Sequence, residues 1–144
     1  KSHFVNQRRD GMNGQYSDGR FYVLNDAAAQ ELLCATDLLV TDYSGAFFDF
    51  LLLDRPIVHY LYDYDYYRTQ DRGLYYNKDE VVGGEAAVDE DQLIDAIIRN
   101  IGNTSLFSER RRNIRAEYLK YDTDKSCEIL YQRILEEQKK VIDK

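Results

Sequence analysis

With 144 residues and 44% hydrophobic composition, the chain is long enough for one ordinary domain with a real apolar core. Its formal net charge of -7, without a concentrated basic run, argues against non-specific nucleic-acid binding. No signal peptide is visible, and the longest apolar stretch is too short to cross a bilayer.

The first part of the chain predicts the end of one strand, then a second strand and a helix. Lys1–Val5 reads as a strand end, with His3 at or near its carboxyl end. Phe21–Leu24 predicts a short strand and Ala27–Ala35 a helix. Because the chain starts without an initiator Met inside an apparent strand, it is expected to be a piece of a larger protein.

Residues 38–53 predict a buried strand, a tight polar turn and an apolar helix. Leu38–Thr41 is a short apolar run typical of a central parallel strand. Ser44 is a good N-cap, so the helix is expected over Ser44–Leu53. A proline ends it, and Ile57–Leu61 predicts the next buried strand. This alternation indicates a parallel sheet with right-handed crossovers.

The turn between this strand and helix is a candidate anion site. A strand that runs into a helix start leaves backbone N–H groups pointing into a crevice beside the sheet, which suits phosphate. Gly45 leaves the entrance clear of a side chain, so a diphosphate can come close. Asp49 lies one helical turn further on, where its carboxylate can accept hydrogen bonds from a ribose diol. The pattern predicts a nucleotide-diphosphate pocket.

The same residues also have a purely structural interpretation. Asp, Ser and Gly form many strand–turn–helix junctions that bind nothing. On this interpretation Ser44 is only a cap, and Asp42 closes the turn by bonding its own backbone. Asp49 is a charge on an otherwise apolar helix face, so it needs a partner if it is buried. It is therefore the strongest candidate for ligand contact.

After Leu61 the sequence predicts an irregular connection. Residues 63–68 can form a short helical turn, and residues 72–76 and 81–84 can form short extended pieces. The many tyrosines of this connection favour packing at a domain edge over base stacking.

Helices are predicted for the rest of the chain. Asp89 can cap a helix that runs to about residue 101. Its inward side chains would be Leu93, Ile94, Ile97, Ile98 and Ile101. Two more helices are expected at about residues 105–118 and 122–142, so that residues 104–144 form a helical tail. The four arginines of the first of these indicate a solvated face.

Two cysteines remain to be interpreted. Cys34 and Cys127 have neither metal-ligand spacing nor a disulfide framework. Both fall on the apolar side of predicted helices, which favours buried reduced thiols.

The central stretch resembles a known motif. Residues 35–57 are similar to the pattern S-D-x-L-I-T-D-Y-S-S-x-x-F-D-x-x-x-x-x-R-P of the CDP-glycerol glycerophosphotransferase family, the teichoic acid polymerases and primases. Residues 1–3 resemble the R-x-H that ends a strand in that family. Three downstream pieces keep the order of the family's Y-D, R-G-F-Y and P-G-P-like turn: Tyr62-Asp63, residues 72–75 and residues 82–84.

This resemblance implies a GT-B architecture, of which residues 1–144 would be the carboxy-terminal, donor-binding, Rossmann-like half. It implies transfer of glycerol phosphate or ribitol phosphate from a CDP-activated polyol donor to a polymer or lipid-linked acceptor, with release of CMP. Neither a cofactor nor a metal is implied. The enzyme would work at the cytoplasmic face of the cell membrane, with membrane contact through parts outside this chain.

The resemblance also implies roles for individual residues. His3 would contact the donor diphosphate and stabilise its developing charge. The substrate-binding residues would be Asp42, Ser44, Gly45, Asp49 and Arg72. Ser44 and the backbone at Gly45 would hold the phosphates, Asp49 would take the ribose, and Arg72 would contact phosphate or order its loop. The family's general base, commonly a His, lies on the other domain, so this piece alone would bind the donor without turning it over.

Other functions stay open on the sequence. The family usually has a second Ser where this chain has Gly45, so one hydroxyl donor is missing. One alternative is a GT-B glycosyltransferase with a UDP-sugar or GDP-sugar donor. The other is a non-catalytic, Rossmann-like interaction domain that keeps the fold without the chemistry.

Overall fold

The structure is a computed structural model that describes residue 24 and residues 27–70, 76–120 and 124–142. The predicted site residues His3 and Arg72 lie outside the described residues. The strand predicted at Lys1–Val5 does so as well. Of the strand predicted at Phe21–Leu24 only Leu24 is described, and it is not in a strand.

The chain divides into two compact units, residues 1–37 and residues 38–144. In the first unit, helix α1 (Ala29–Ala35) follows Ala28, two residues later than the predicted start. Cys34 on this helix is exposed, and so is Cys127 in the second unit, so the prediction of buried thiols was wrong. A single domain over residues 1–144 stays a prediction.

A parallel sheet of three strands lies at the centre of the second unit. In spatial order the strands are β1 (Leu39–Thr41), β2 (Ile57–Tyr60) and β3 (Glu85–Ala87). Val58 of the middle strand pairs with Val40 on one side and Glu85 on the other. Ile57 and Val58 are fully buried, as expected for a strand covered on both faces. The predicted α/β class with a parallel sheet is confirmed, and the arrangement is consistent with a Rossmann-like half of a GT-B enzyme.

Helices connect and follow the strands. They are α2 (Ala46–Phe50, continued by a 3-10 turn at Leu51–Leu53), α3 (Tyr64–Gln70), α4 (Lys78–Val81), α5 (Glu90–Gly102), α6 (Ser108–Tyr118) and α7 (Ser126–Ile142). The predicted helical tail is present as α6 and α7, each beginning about three residues later than predicted from residues 105 and 122.

Helix α5 starts as predicted, but of its five predicted inward side chains only Leu93 and Ile97 are half-buried. Asp89 is its N-cap and accepts the backbone N–H of Gln92 at 2.8 Å. The buried residues are Ala96 and Asn100, whose amide donates to the Glu85 carboxylate of β3 at 3.1 Å. Three isoleucines predicted to point inward are more than half exposed: Ile94, Ile98 and Ile101. The helix packs close to the sheet through its small and polar residues, which leaves these branched side chains outside.

Gly84 allows β3 to approach β2. A Cβ at this position would lie 1.8 Å from the carbonyl oxygen of Ile57 and 2.8 Å from its carbonyl carbon. Both atoms belong to the backbone of the central strand and cannot move aside as a flexible side chain would. Only a residue without a side chain fits between the two strands.

Not all of the α6 arginines form a solvated face, because Arg111 is fully buried. Its Nε donates to the Asp54 carboxylate at 2.9 Å, and its other nitrogens donate to the carbonyl oxygens of Asp54, Thr104 and Leu106. Asp54, in the left-handed region with φ 47°, also accepts the Ser108 hydroxyl at 2.7 Å. A buried guanidinium is tolerated because oxygens surround its donors. Arg111 thereby ties the end of the α2 segment to the start of α6.

The Gly84→Ala substitution is expected to lower the free energy of unfolding by about 3 kcal/mol, since the methyl group overlaps the β2 backbone. Urea unfolding of the two proteins measures the change. Gly102→Ala is the matched control, because a Cβ at the end of α5 meets nothing within 4 Å. It should change the stability by less than about 1 kcal/mol. Equal unfolding midpoints for Gly84→Ala and the parent chain would show that the close approach does not matter.

Candidate functional site

The turn at residues 42–45 follows the carboxyl end of β1. The Asp42 carboxylate accepts the backbone N–H of Ser44 at 2.9 Å, so Asp42 closes the turn as the sequence predicted. Gly45, not Ser44, is the N-cap residue of α2. The Ser44 hydroxyl still accepts an N–H of the first turn, from Ala46 at 3.3 Å. The predicted cap was therefore wrong by one position, although the hydroxyl serves the same helix start.

Open space lies in front of Gly45. Its φ is -64°, which any residue adopts, and an added Cβ would meet nothing within 4 Å. Among the described residues, the backbone N–H groups of Gly45 and Phe47 have no hydrogen-bond acceptor. Helix α2 has only five residues, so its dipole contributes little and an anion here would depend on individual N–H groups.

Asp49 is exposed on α2, whereas Phe47 and Phe50 are buried on the other side of the helix. The argument that a buried Asp49 would need a partner therefore does not apply. Within the described part of the chain its carboxylate makes no hydrogen bond. It stands four residues beyond Gly45 and is open to the same solvent as the turn.

Sequence reasoning missed His59, which is central to this region. His59 lies on β2 with 2% of its surface exposed, and its Nε2 accepts the Gly83 N–H at 3.3 Å. A second hydrogen bond joins its ring to the backbone of Asp42. Because Nε2 is the acceptor, the proton of the neutral ring lies on Nδ1, which donates to the Asp42 carbonyl. A polar residue inside a predicted apolar strand was the signal that could have revealed it.

The environment of His59 keeps its ring neutral. Burial lowers the pKa of His59 from 6.5 to about 4, and the hydrogen bond to Asp42 opposes this only in part. The Phe47 ring packs edge-on against the imidazole, with the ring centres 5.2 Å apart. His59 thus connects the turn after β1, the central strand and the glycines before β3.

Tyr43 connects the same turn to α3. Its hydroxyl donates to the Asp63 carboxylate at 2.9 Å, and its ring stacks on Tyr67 with a centroid distance of 4.0 Å. Burial and the neighbouring Asp63 raise the pKa of Tyr43 well above its usual value, so it stays a donor. Of the tyrosines predicted to pack, Tyr67 does so here, whereas Tyr62 and Tyr66 are more than half exposed.

A cleft opens beyond the carboxyl ends of β2 and β3. Its volume is about 840 Å³, and it is lined by residues 61–66, Arg68, residues 77–80 and Val88. These residues come mainly from α3, α4 and the segments before them, and we call this cavity the α3–α4 cleft. Ligands of parallel α/β sheets bind at this edge of the sheet.

The described residues offer neither a metal site nor a membrane-spanning helix. No group of three or more His, Cys, Asp and Glu side chains there is placed to hold a metal ion. None of the described helices is both long and apolar enough to cross a membrane. The roles predicted for His3, Arg72 and the residues of the turn stay predictions.

Comparison with known proteins gives the family. Residues 1–136 match the family described as CDP-Glycerol:Poly(glycerophosphate) glycerophosphotransferase. The match includes the sheet, the turn and the α3–α4 cleft. The chain belongs to this family of transferases.

Three relatives illustrate the similarity. The chain is 37% identical over 98 residues to the teichoic acid glycerol-phosphate primase of Bacillus subtilis (strain 168), covering 67% of this chain and 26% of that protein. It is 41% identical over 68 residues to the teichoic acid poly(glycerol phosphate) polymerase of Bacillus spizizenii, covering 47% of this chain and 17% of that protein. It is 37% identical over 83 residues to the teichoic acid poly(ribitol-phosphate) polymerase of Bacillus spizizenii, covering 58% of this chain and 13% of that protein. The matched part spans about a quarter or less of these relatives.

The buried neutral His59 should make the chain sensitive to acid. Its folded pKa of about 4 lies below its ordinary 6.5, so protons bind preferentially to the unfolded chain. The stability that the folded chain gains from keeping His59 neutral is fully present above pH 6.5 and is lost as the pH falls toward 4. We expect urea unfolding at pH 4.5 and pH 7.5 to show a loss about 2–3 kcal/mol larger in the parent chain than in His59→Gln, which cannot titrate. Equal losses in the two proteins would contradict a neutral His59.

Proposed function

We propose that this chain is the donor-binding domain of a phosphotransferase that uses CDP-glycerol or CDP-ribitol to build a teichoic-acid-like polymer. The family match over residues 1–136 carries this proposal. The names of the relatives support the donor class, because they include glycerol-phosphate and ribitol-phosphate enzymes. The exposed, accessible turn at residues 42–45 provides a place for the donor.

In this proposal the donor diphosphate lies against the turn. The Ser44 hydroxyl and the backbone N–H of Gly45 donate to its oxygens, and the open space before Gly45 admits them. The exposed Asp49 carboxylate accepts both hydroxyls of the ribose. The carboxylates of Asp42 and Asp49 lie near the diphosphate in this arrangement, so positive charge is needed to offset their repulsion of it. His3 and Arg72 are proposed to supply this positive charge.

The proposed reaction moves one polyol phosphate unit. An acceptor hydroxyl attacks the phosphorus that carries the polyol, a new phosphorus–oxygen bond forms, and the bond to the CMP oxygen breaks. His3 stabilises the charge that develops on the diphosphate as CMP leaves. The acceptor proton goes to a general base that is proposed to lie outside this chain, so the chain alone binds without turnover.

The same proposal covers the acceptor, the location of the enzyme and its partners. The acceptor is a polymer or a lipid-linked starter, and the enzyme acts as a peripheral protein at the cytoplasmic face of the membrane. Membrane contact is made by parts outside this chain. Nucleic acid is not a partner, in keeping with the net charge of -7.

The substitution Asp49→Asn should weaken CDP-glycerol binding about tenfold, since an amide replaces a charged acceptor of the ribose hydroxyls. CMP should lose affinity by the same factor because it carries the same ribose. Isothermal titration calorimetry measures both. Asp91→Asn on α5, another exposed carboxylate, is the matched control and should change neither.

Three results would overturn the assignment. A parent chain and full-length protein that bind neither CDP-glycerol nor CMP would refute the donor site, and preference for a UDP-sugar or GDP-sugar would favour a glycosyltransferase. Full activity of the intact protein with both Asp49→Asn and His3→Ala would favour an interaction domain.

The substitution Gly45→Ser should tighten CDP-glycerol binding several-fold. It restores the second hydroxyl of the family pattern, and the structure has room for the side chain. Gly45→Ala adds the Cβ without the hydroxyl and serves as the control. If both variants change the affinity equally, the hydroxyl does not contact the diphosphate.

A further inference from the structure

A single side chain, that of Tyr43, connects the turn at residues 42–45 to the α3–α4 cleft. Tyr43 belongs to this turn, and its hydroxyl holds Asp63, which lines the cleft. Asp49 is not among the lining residues. Tyr43 and Asp63 therefore connect the turn to the cleft, and Asp49 stands outside the cleft lining.

The net negative charge of the described cleft lining disfavours a phosphate group as its occupant. Four carboxylates line it: Asp63, Asp65, Asp79 and Glu80. Among the described lining residues two cationic side chains, Arg68 and Lys78, accompany them, and Lys78 lies over the Tyr64 ring at 5.0 Å from its centre. An anion would be repelled by this lining, whereas an uncharged group is not.

The unused hydrogen-bonding capacity of the cleft favours a ligand rich in hydroxyl groups. Within the described residues, the Asp65 and Asp79 carboxylates accept no hydrogen bond. Ionised carboxylates only accept, so a ligand that binds directly to them must donate. Tyr62 and Tyr66 line the same cleft, and each is more than half exposed. Such phenol groups both donate and accept, which suits the two-way hydrogen bonding of a polyol.

The order of groups in the proposed donor decides which end of it enters the α3–α4 cleft. In a CDP-polyol the diphosphate stands between the ribose and the polyol. With the diphosphate at the turn and the ribose at Asp49, the polyol extends toward Tyr43 and Asp63. The volume of about 840 Å³ lies within the usual range of ligand pockets, roughly 300–1,000 Å³, and accommodates a short polyol.

We propose that the α3–α4 cleft binds the polyol unit of the activated donor, with Asp65 and Asp79 accepting its hydroxyl groups. This inference rests on the proposed function. It assigns polyol recognition to this chain and to a surface separate from the diphosphate turn.

The test compares donors with and without a polyol. The double variant Asp65→Asn/Asp79→Asn changes two exposed carboxylates, so it should fold like the parent. Calorimetry should show about tenfold weaker binding of CDP-glycerol and unchanged binding of CMP. The double variant Asp91→Asn/Asp95→Asn on α5 makes the same change in net charge outside the cleft and should leave both affinities unchanged.

Each other result has a distinct meaning. If the parent chain binds CDP-glycerol and the cleft variant binds it equally well, the cleft inference is wrong while the proposed function stands. If the cleft variant loses CMP and CDP-glycerol affinity equally, the cleft holds the nucleotide end, which also overturns the inference. A parent chain that binds no CDP compound overturns both proposals.

Discussion

The two hydrogen bonds of His59 hold the site region together. The ring lies in the middle of the central strand, accepts from Gly83 and donates to the carbonyl of Asp42. The bond from Gly83 needs the neutral ring, because a protonated Nε2 cannot accept, and burial keeps the ring neutral. The same ring packs against Phe47, which anchors α2. The buried His59 side chain therefore fixes the position of the turn, and the exposed groups of the turn stay available to a ligand.

The proposed function requires an acidic chain to bind an anionic donor, and the arrangement of its polar groups is compatible with this. The turn offers N–H groups and the Ser44 hydroxyl beside the Asp42 carboxylate, and further carboxylates stand at Asp49 and in the α3–α4 cleft. Carboxylates repel phosphate but accept hydroxyl groups, so they suit the ribose and polyol ends of a CDP-polyol. In the proposed function the diphosphate meets the turn between them. In the proposed function this part of the molecule binds and orients the donor, and the proton transfer occurs elsewhere.

The sequence predicted what short-range physics controls. The apolar runs identified β1 and β2, and Asp42 and Asp89 were found because a carboxylate bonds the backbone two or three residues on. Periodicity failed where packing decided: α5 carries apolar residues on more than one face, and only contact with β3 selected Ala96 and Asn100. Arg111 looked like surface charge, because its partner Asp54 lies 57 residues away and no local pattern connects them.

The sequence by itself determined the α/β class, the motif at residues 35–57 and the family, since these follow from local periodicity and from residue order. The tertiary structure alone decided which groups are available. It buried His59 and Arg111, exposed Asp49 and both cysteines, and brought Tyr43 to Asp63 beside the cleft. The physical reason is that burial and long-range hydrogen bonds depend on how strands and helices stack, and stacking brings together residues that are far apart in the chain.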